Sequence, residues 1–547
     1  MRASDLDPRT PVLVGVGQSA ERIDEPGYEG LSAADLAGRA AAYALADSGA
    51  DPAYVAAVID TVAGVRQFET STPIAEAPLG RADNFPRAVA ARIGADPLHA
   101  VLDVAGGQAP QRLVTEMAAA IARGKRQVVL VTGSEAISTT RHLAASDDPP
   151  DFTEQVGGQL EDRGIGLRGL VTWHTATHGL VDAPVQYALF ENARRARLGL
   201  GREEYAAGMG ELFAPFTEVA ARNPLAAAPT VRTAAELATP SARNRPIVDP
   251  YPRFLIARDQ VNQGAAVLLM SVAAARRLGV PEDRWVYLHG HADVQAPDLL
   301  DREDLSGYPA GVLAVRHALE VAGVELDDVT FLDLYSCFPV AVSSLLDGLD
   351  LAADDPRGFT LTGGLPFFGG AGNNYSMHAI AEAVQRCRND PDALGLVTAN
   401  GGMLAKLSVG IYSARPAPWR EDRSAELRAD VESWPVPAFT EHPEGWARIE
   451  TYTVRYGRGG RRTSIVIGRL EDTGERFLAT ALEDDAEILD LLGAPEPIGQ
   501  RVYVRSLKHG NRVTTSRERM DAAQPERATD AERAETARQA QEFEAVL

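Results

Sequence analysis

Two glycine-rich segments of the sequence each precede a stretch that is typical of a helix. The first is DVAGGQAPQRLV, residues 103–114, and the second is GGAGNNYSMH, residues 369–378. Free amides at a helix start favour an anion or a carbonyl oxygen that gains negative charge. We therefore expect Gly106, Gly107 and Gly372 to contact a ligand. The alternative for GGQAPQ is a tight turn from a strand into a helix.

Polar side chains that could move protons follow the second glycine segment. They are Asn373, Asn374, Tyr375 and His378. Tyrosine and histidine can donate or accept a proton, and asparagines together with helix-start amides can form an oxyanion hole. Tyr335 and Cys337, in LYSCF, could join this group, although a strand-end tyrosine and a thiol in an apolar run also suit a core.

A third glycine segment, TANGGM, contributes Asn400, Gly401 and Gly402 as candidate ligand contacts. Lys406 follows it and either neutralises a ligand phosphate or only extends from a strand. His174 and His178 have helical i, i+4 spacing, but no glutamate follows the first histidine as in zinc peptidases. We predict no metal site.

Short apolar runs alternate with alanine-rich helical segments over most of the chain, which predicts an α/β layered fold with strands buried on both faces. The predicted strands are residues 11–18, 128–133, 285–292, 329–335 and 394–401. The third glycine segment, residues 398–403, begins within the last of these strands, so that strand must position it.

The sequence repeats itself. YALADSGADPAYVAAVIDTV (residues 43–62) matches HALEVAGVELDDVTFLDLYS (residues 317–336) at an offset of 274 residues. GGQAPQ and the LVT at 130–132 match GNNYSM and the LVT at 396–398 at an offset of 266. Two ordered matches with such a long period indicate duplicated half-domains.

Composition shifts divide the chain further. The predicted units are a first half over residues 1–284 with a loop domain inserted at about 136–245, a second half over 285–415, a linker over 416–438, a small β-barrel over 439–516 and a charged tail over 517–547. The barrel prediction depends on period-two alternation and glycine-rich turns.

Charge and composition exclude several classes of partner. The 547 residues include 54 basic and 76 acidic side chains, a net charge of -22, which opposes nucleic acid and anionic membranes. No apolar segment is long enough to span a bilayer, and the N-terminus does not resemble a secretion signal. Two cysteines are too few for a disulfide framework. We expect a cytoplasmic protein.

Together these motifs resemble the thiolase superfamily. The resemblance depends on the duplicated halves with their glycine-rich helix starts, residues 249–271, LDLYSCFPVAV at 332–342, the glycine loop at 363–372 and TANGGM at 398–403. It is strongest towards sterol-carrier-protein-type thiolases and actinobacterial thiolase-like proteins of type 1, which carry an additional C-terminal β-domain. The resemblance implies a layered αβαβα fold with an OB-like barrel, and coenzyme A or an acyl-CoA as ligand.

The resemblance also implies that the usual catalytic groups are missing. Thiolases carry an acylated cysteine where this chain has Ala105 or Gly106, and a Gly-His-Pro where it has Gly369, Gly370 and Ala371. Their second cysteine falls near residues 398–400. Thiolase-like steroid side-chain aldolases, which LYSCF also resembles, use a tyrosine in retro-aldol chemistry without an acylated cysteine.

Three functions remain open from the sequence. The first is an acyl-CoA-binding protein that makes or breaks a carbon–carbon bond through Tyr, His and Asn groups. The second is a noncatalytic acyl-CoA binding or transfer protein, and the third is a conventional acetyltransferase with Cys337 as substitute nucleophile. We expect a monomer, with a dimer as the alternative, because the fused barrel could cover the sheet edge through which thiolases dimerise.

Overall fold

The computed structural model describes residues 2–167, 171–483, 485–523, 526 and 528–546. The strands are β1 (Pro11–Ala20), β2 (Thr61–Gly64), β3 (His99–Leu102), β4 (Val128–Ala136), β5 (Glu161–Asp162), β6 (Pro246–Val248), β7 (Tyr251–Pro252), β8 (Asn262–Ser271), β9 (Tyr287–Gln295), β10 (Phe331–Asp333), β11 (Gly395–Gly401), β12 (Lys406–Ser413), β13 (Glu444–Tyr456), β14 (Arg462–Leu470), β15 (Arg476–Ala481), β16 (Arg501–Leu507) and β17 (Gly510–Thr514). The helices are α1 (Ala33–Asp47), α2 (Pro52–Ala57), α3 (Phe85–Arg92), α4 (Ala109–Ala122), α5 (Ile137–Leu143), α6 (Trp173–Thr177), α7 (Ala183–Leu198), α8 (Arg202–Arg222), α9 (Ala234–Ala238), α10 (Val272–Leu278), α11 (Pro309–Ala322), α12 (Pro339–Leu349), α13 (Tyr375–Asn389), α14 (Ser424–Glu432), α15 (Ala486–Leu492), α16 (Arg517–Ala522) and α17 (Asp530–Val546).

The two halves contain sheets of matching topology. The first sheet has the order β1-β8-β4-β2-β3-β5, and the second has the order β9-β12-β11-β10. In both, the first three strands pair antiparallel and the fourth runs parallel to the third. The same pairing pattern in both halves agrees with the predicted duplication.

Two glycines show the duplication at the level of single contacts. A Cβ at Gly15 in β1 would collide with the carbonyl oxygen of Ala44 in α1, and a Cβ at Gly290 in β9 would collide with that of Ala318 in α11. Each half therefore presses its outer helix onto its sheet at the same place, and only glycine permits that approach.

Helices α4 and α13 lie between the two sheets, and each contacts strands of both. Their apolar residues share one buried cluster with β1, β4, β8, β11 and β12. With α1 and α11 on the outer faces, the layers are αβαβα, and the predicted fold class is confirmed. This arrangement brings the starts of α4 and α13 together.

The C-terminal strands close into a five-stranded barrel, because β13 pairs with both β14 and β16. Two short strands that follow the inserted segment, β6 and β7, extend this sheet through the pair Arg455 and Val248. The predicted linker contains α14, and the predicted charged tail contains α16 and α17, with Phe543 of α17 edge-on to Trp173 at 5.7 Å.

The edge of the first sheet next to the site is covered by β5, not by the barrel. Val101 and Leu102 of β3 pair with Glu161 and Asp162. Beyond the strand, the amide of Arg163 donates to Leu102 O at 3.0 Å. The expectation that the barrel covers this edge is therefore wrong: the inserted segment supplies the cover.

Candidate active site

The start of α4 is held by the start of α13. Gly106 adopts a φ of 138°, and its amide donates to Oδ1 of Asn373 at 2.9 Å. The hydroxyl of Ser376 donates to Gly107 O at 2.7 Å. The amide of Gly372 donates to Gly370 O at 2.7 Å. The amides of Gly106 and Gly372 are therefore both bonded to protein acceptors in this structure, although the sequence predicts these two glycines as ligand contacts.

Both predicted asparagines connect α13 to the first half. Nδ2 of Asn373 donates to Arg66 O at 2.7 Å and to Oγ of Ser71 at 2.9 Å. Nδ2 of Asn374 donates to Gly133 O at 2.8 Å. Both side chains are buried. They position the helix starts and are engaged with protein groups.

Tyr335 follows β10 and reaches the same place from the second half. Its amide donates to Oγ1 of Thr398 at 2.9 Å, and its ring lies edge-on to the ring of Tyr375 with centroids 5.5 Å apart. The side chain is 7% exposed, and burial raises the pKa of the phenol well above its usual value. Among the described residues its hydroxyl has no hydrogen-bond partner. Tyr335 is therefore a neutral phenol that can donate.

Tyr375 and His378 differ in their relation to Tyr335. The hydroxyl of Tyr375 shares a hydrogen bond with Oγ1 of Thr362 at 2.7 Å. Nδ1 of His378 lies 2.7 Å from Oε1 of Gln18, and Nε2 is buried without a partner. Burial lowers the pKa of His378 to about 3. The structure brings Tyr375 to Tyr335 and directs His378 towards β1.

Cys337 lies beside a network that joins the predicted Asn400 to Tyr187 and Tyr308, two residues that the sequence analysis did not select. Nδ2 of Asn400 donates to the hydroxyl of Tyr187 at 2.7 Å, and that hydroxyl is hydrogen-bonded to Cys337. The hydroxyl of Tyr308 donates to Oδ1 of Asn400 at 3.4 Å. Burial raises the pKa of Cys337 to about 12. One local signal in the sequence could have pointed to this network. Tyr308 directly precedes Pro309, the first residue of α11.

The glycine turn after β11 and Lys406 support the same helix start. The side-chain amide of Gln108 fills the space between Gly106 and Gly401, and a Cβ at either glycine would overlap it. Nζ of Lys406 donates to Gly166 O at 2.7 Å and to Ala105 O at 3.3 Å. Burial lowers the pKa of Lys406 to about 8. Lys406 thus binds backbone carbonyls in this structure.

Comparison with known proteins identifies the family. The thiolase-like protein type 1 additional C-terminal domain matches residues 426–508. A monomeric SCP2-thiolase-like protein type 1 from Mycobacterium smegmatis is 51% identical, covering 93% of this chain and 100% of that chain with a TM-score of 0.81. The chain belongs to this family.

More distant structures share the fold. An Ltp2–ChsH2(DUF35) aldolase is 22% identical, with 75% of this chain and 99% of that chain covered and a TM-score of 0.55. Human mitochondrial 3-ketoacyl-CoA thiolase is 17% identical, with 75% and 100% covered and a TM-score of 0.53. No curated protein matches the chain.

Gly107, one or two residues after the expected place of the acylated cysteine (Ala105 or Gly106), has no room for a side chain. A Cβ at Gly107 would lie 2.5 Å from Asn400 O and 2.7 Å from Cζ of Tyr335. Ala105 is buried, and its carbonyl accepts from Lys406. Gly370, at the expected place of the family's histidine, donates its amide to Arg258 O at 2.7 Å. The site therefore places the Tyr335 phenol against Gly107, and Ala105, Gly106 and Gly370 supply neither a thiol nor an imidazole.

Two further absences concern the described residues. No group of three histidine, cysteine, aspartate or glutamate side chains among them could hold a metal ion. Within the same part of the chain, no helix combines the length and the apolar character needed to cross a bilayer.

Proposed function

We propose that this protein binds a coenzyme A thioester and acts on its acyl chain without forming an acyl-cysteine. The observation that carries the proposal is the position of the Tyr335 phenol against Gly107, next to Ala105 and Gly106, where the resemblance places the nucleophile of thiolases. A family fold that also occurs in a 3-ketoacyl-CoA thiolase supports coenzyme A as the ligand.

The chemistry that suits a neutral phenol is a carbon–carbon cleavage. In a 3-hydroxyacyl thioester, breaking the bond between the α and β carbons releases an aldehyde or ketone and leaves the electron pair on the thioester enolate. In one concerted step, the phenol oxygen of Tyr335 would take the 3-hydroxyl proton as the Cα–Cβ bond breaks and the phenol would give its own proton to the α carbon, so the phenol ends as it began. Atoms and electrons balance without a cysteine, an oxidant or a reductant.

A second candidate is a noncatalytic acyl-CoA carrier. It is favoured by the hydrogen bonds that already satisfy the Gly106 amide and the Asn373 side chain. A preorganised oxyanion hole needs donors directed at the substrate oxygen, and these donors are directed at protein atoms.

The test combines intact mass with product analysis. Purified protein is incubated with 3-hydroxyacyl-CoA thioesters of several chain lengths. We expect coenzyme A thioester binding, acetyl-CoA and an aldehyde as products, and no mass increase of the protein. Binding without products supports the carrier. A stable acyl adduct, or the absence of binding by calorimetry at millimolar thioester, overturns the proposal.

Tyr335→Phe tests the assignment of the proton donor. General acid assistance contributes about 10²- to 10⁴-fold, so turnover should fall by about 10²-fold or more. The matched control is Tyr412→Phe, which removes a buried hydroxyl that bonds Gln111 at 2.6 Å in the central layer. An equal loss in both variants would assign the effect to packing.

A further inference from the structure

A small pocket beside the site contains an arginine without an anion. Its volume is about 240 Å³, and Arg302 contributes the charge. The remaining walls are mainly apolar and come from Ala296, Pro297, Tyr308, Pro309, Ala310 and Trp434. We propose that this pocket binds a short-chain monocarboxylate through Arg302. The proposal goes beyond the proposed function, because it concerns a free acid and not a thioester.

Arg302 is only partly satisfied by the protein. Its Nε donates to Pro297 O at 2.9 Å, and Nη2 donates to Leu404 O at 2.9 Å and to Met403 O at 3.3 Å. The guanidinium also lies over the ring of Phe190, 4.8 Å from its centroid. Among the described residues, Nη1 has no acceptor and no carboxylate forms an ion pair with Arg302.

An unpaired cation at this depth favours an anion. Arg302 is 7% exposed, and removing a charge from water is costly unless a partner compensates it. Carbonyl oxygens, an aromatic ring and the charge of Asp298, which forms no ion pair with Arg302 among the described residues, compensate only in part. A carboxylate that accepts from Nη1 would give this guanidinium nitrogen a charge-assisted hydrogen bond and would balance the positive charge.

The walls and the mouth define the rest of the ligand. A mainly apolar pocket below the usual volume range for drug-sized ligands, about 300–1,000 Å³, suits a short alkyl chain. The acidic side chains at the mouth, Asp301, Glu303 and Asp304, are exposed to water. They repel anions in general, and they repel a dicarboxylate or a polyphosphate more strongly than a monocarboxylate.

The pocket adjoins the candidate active site through Tyr308. This residue lines the pocket, and its hydroxyl donates to Asn400, which in turn donates to Tyr187. Arg302 also holds the turn at Met403 and Leu404, two residues with positive φ. A bound acid would thus lie next to the glycine turn that supports the start of α4.

Calorimetry on the full chain tests the proposal with hexanoate, hexanol and adipate. We expect hexanoate to bind one to one and hexanol and adipate to bind more weakly. Arg302→Met should lower hexanoate affinity by about 10- to 100-fold, the usual size of a hydrogen bond to a charged group. Arg316→Met, an exposed arginine of α11 whose guanidinium bonds Gly348 O at 2.9 Å, should change nothing.

A second variant covers the case in which Arg302→Met fails to fold. Ala310→Leu fills the pocket and leaves Arg302 in place, so it should weaken hexanoate binding and retain acetate binding. Hexanol that binds as tightly as hexanoate, or either variant with unchanged hexanoate affinity, overturns the proposal. Tyr335→Phe should bind hexanoate like the unaltered protein, which separates this result from the thioester chemistry.

Discussion

The ring of Tyr335 ends against Gly107: a Cβ there would lie 2.7 Å from Cζ of the phenol and 2.5 Å from Asn400 O. Gly107 therefore has no room for a side chain, whereas Ala105, two residues earlier, carries a buried methyl group.

Gly107→Ala should destabilise the fold by about 1–3 kcal/mol, the usual cost of overpacking a core. Denaturant unfolding measures it. Gly208→Ala is the control, because Gly208 lies inside α8 with open space around it, and alanine there should be neutral or stabilising.

The same Gly107→Ala substitution can also be measured in a protein that carries Tyr335→Ala. With the phenol removed, Gly107→Ala should cost less than in the unaltered protein, since contacting residues are not additive. Equal costs in both backgrounds would show that Tyr335 does not occupy the space.

The sequence predicted the fold well because burial patterns are local. The strands at 128–133 and 394–401 appear as β4 and β11, and the register of the repeat places Gly106 beside Asn373. The direction of side chains was not predictable in the same way. His378 lies one helical turn after Tyr375 yet bonds Gln18, a partner fixed only by tertiary packing.

The contribution of the inserted segment was the hardest to predict. Tyr187 lies on α7, in a stretch where the arginines are the conspicuous residues, and it reaches Asn400 only because α7 is placed over the second half. The two residues of β5 carry no strand pattern. Their pairing follows from the open edge of β3 and not from their own propensity.

Because β5 covers the edge of β3, we expect the protein to be a monomer in solution, in line with the monomeric relative. Light scattering at micromolar concentration checks it. Arg163→Pro removes the amide that donates to Leu102 O and the ion pair with Glu116, so it should expose the edge and cause self-association. A stable dimer of the unaltered protein would contradict the prediction. Arg9→Ala, an exposed arginine that pairs with Asp7 at 3.4 Å, is the control.

The environment of His178 predicts that the folded protein loses stability in acid. Its Nε2 accepts from the Asn511 amide at 2.8 Å, and its Nδ1 lies 2.7 Å from His174 O, which fixes a neutral ring between the inserted segment and the barrel. Burial, helped by His174 and Arg512, lowers the pKa to about 3. The unfolded chain therefore binds the extra proton, and stability falls as pH falls from about 6.5 towards 3.

The measurement is the free energy of unfolding at pH 7 and pH 5. From this group alone we expect a loss of about 2 kcal/mol. His178→Gln keeps an acceptor and should show a smaller loss over the same range. His442→Gln, an exposed histidine of the same region, should lose as much as the unaltered protein. Parallel curves for all three proteins would contradict the assignment.

Cys337 should be unreactive in the folded protein. With its pKa raised to about 12 by burial, the thiolate fraction at pH 8 is on the order of one in 10⁴, whereas activated thiols have a pKa of about 3.5–7.5. Its hydrogen-bonding neighbours are Tyr187 and Asn400, and neither is a base at this pH. Iodoacetamide should therefore label Cys337 and Cys387 only after denaturation.

Cys337→Ala should retain thioester turnover of the same order, as should the control Cys387→Ala. Rapid labelling of Cys337 in the native protein, suppressed by an acyl-CoA, would instead support a substitute nucleophile and remove the case for Tyr335.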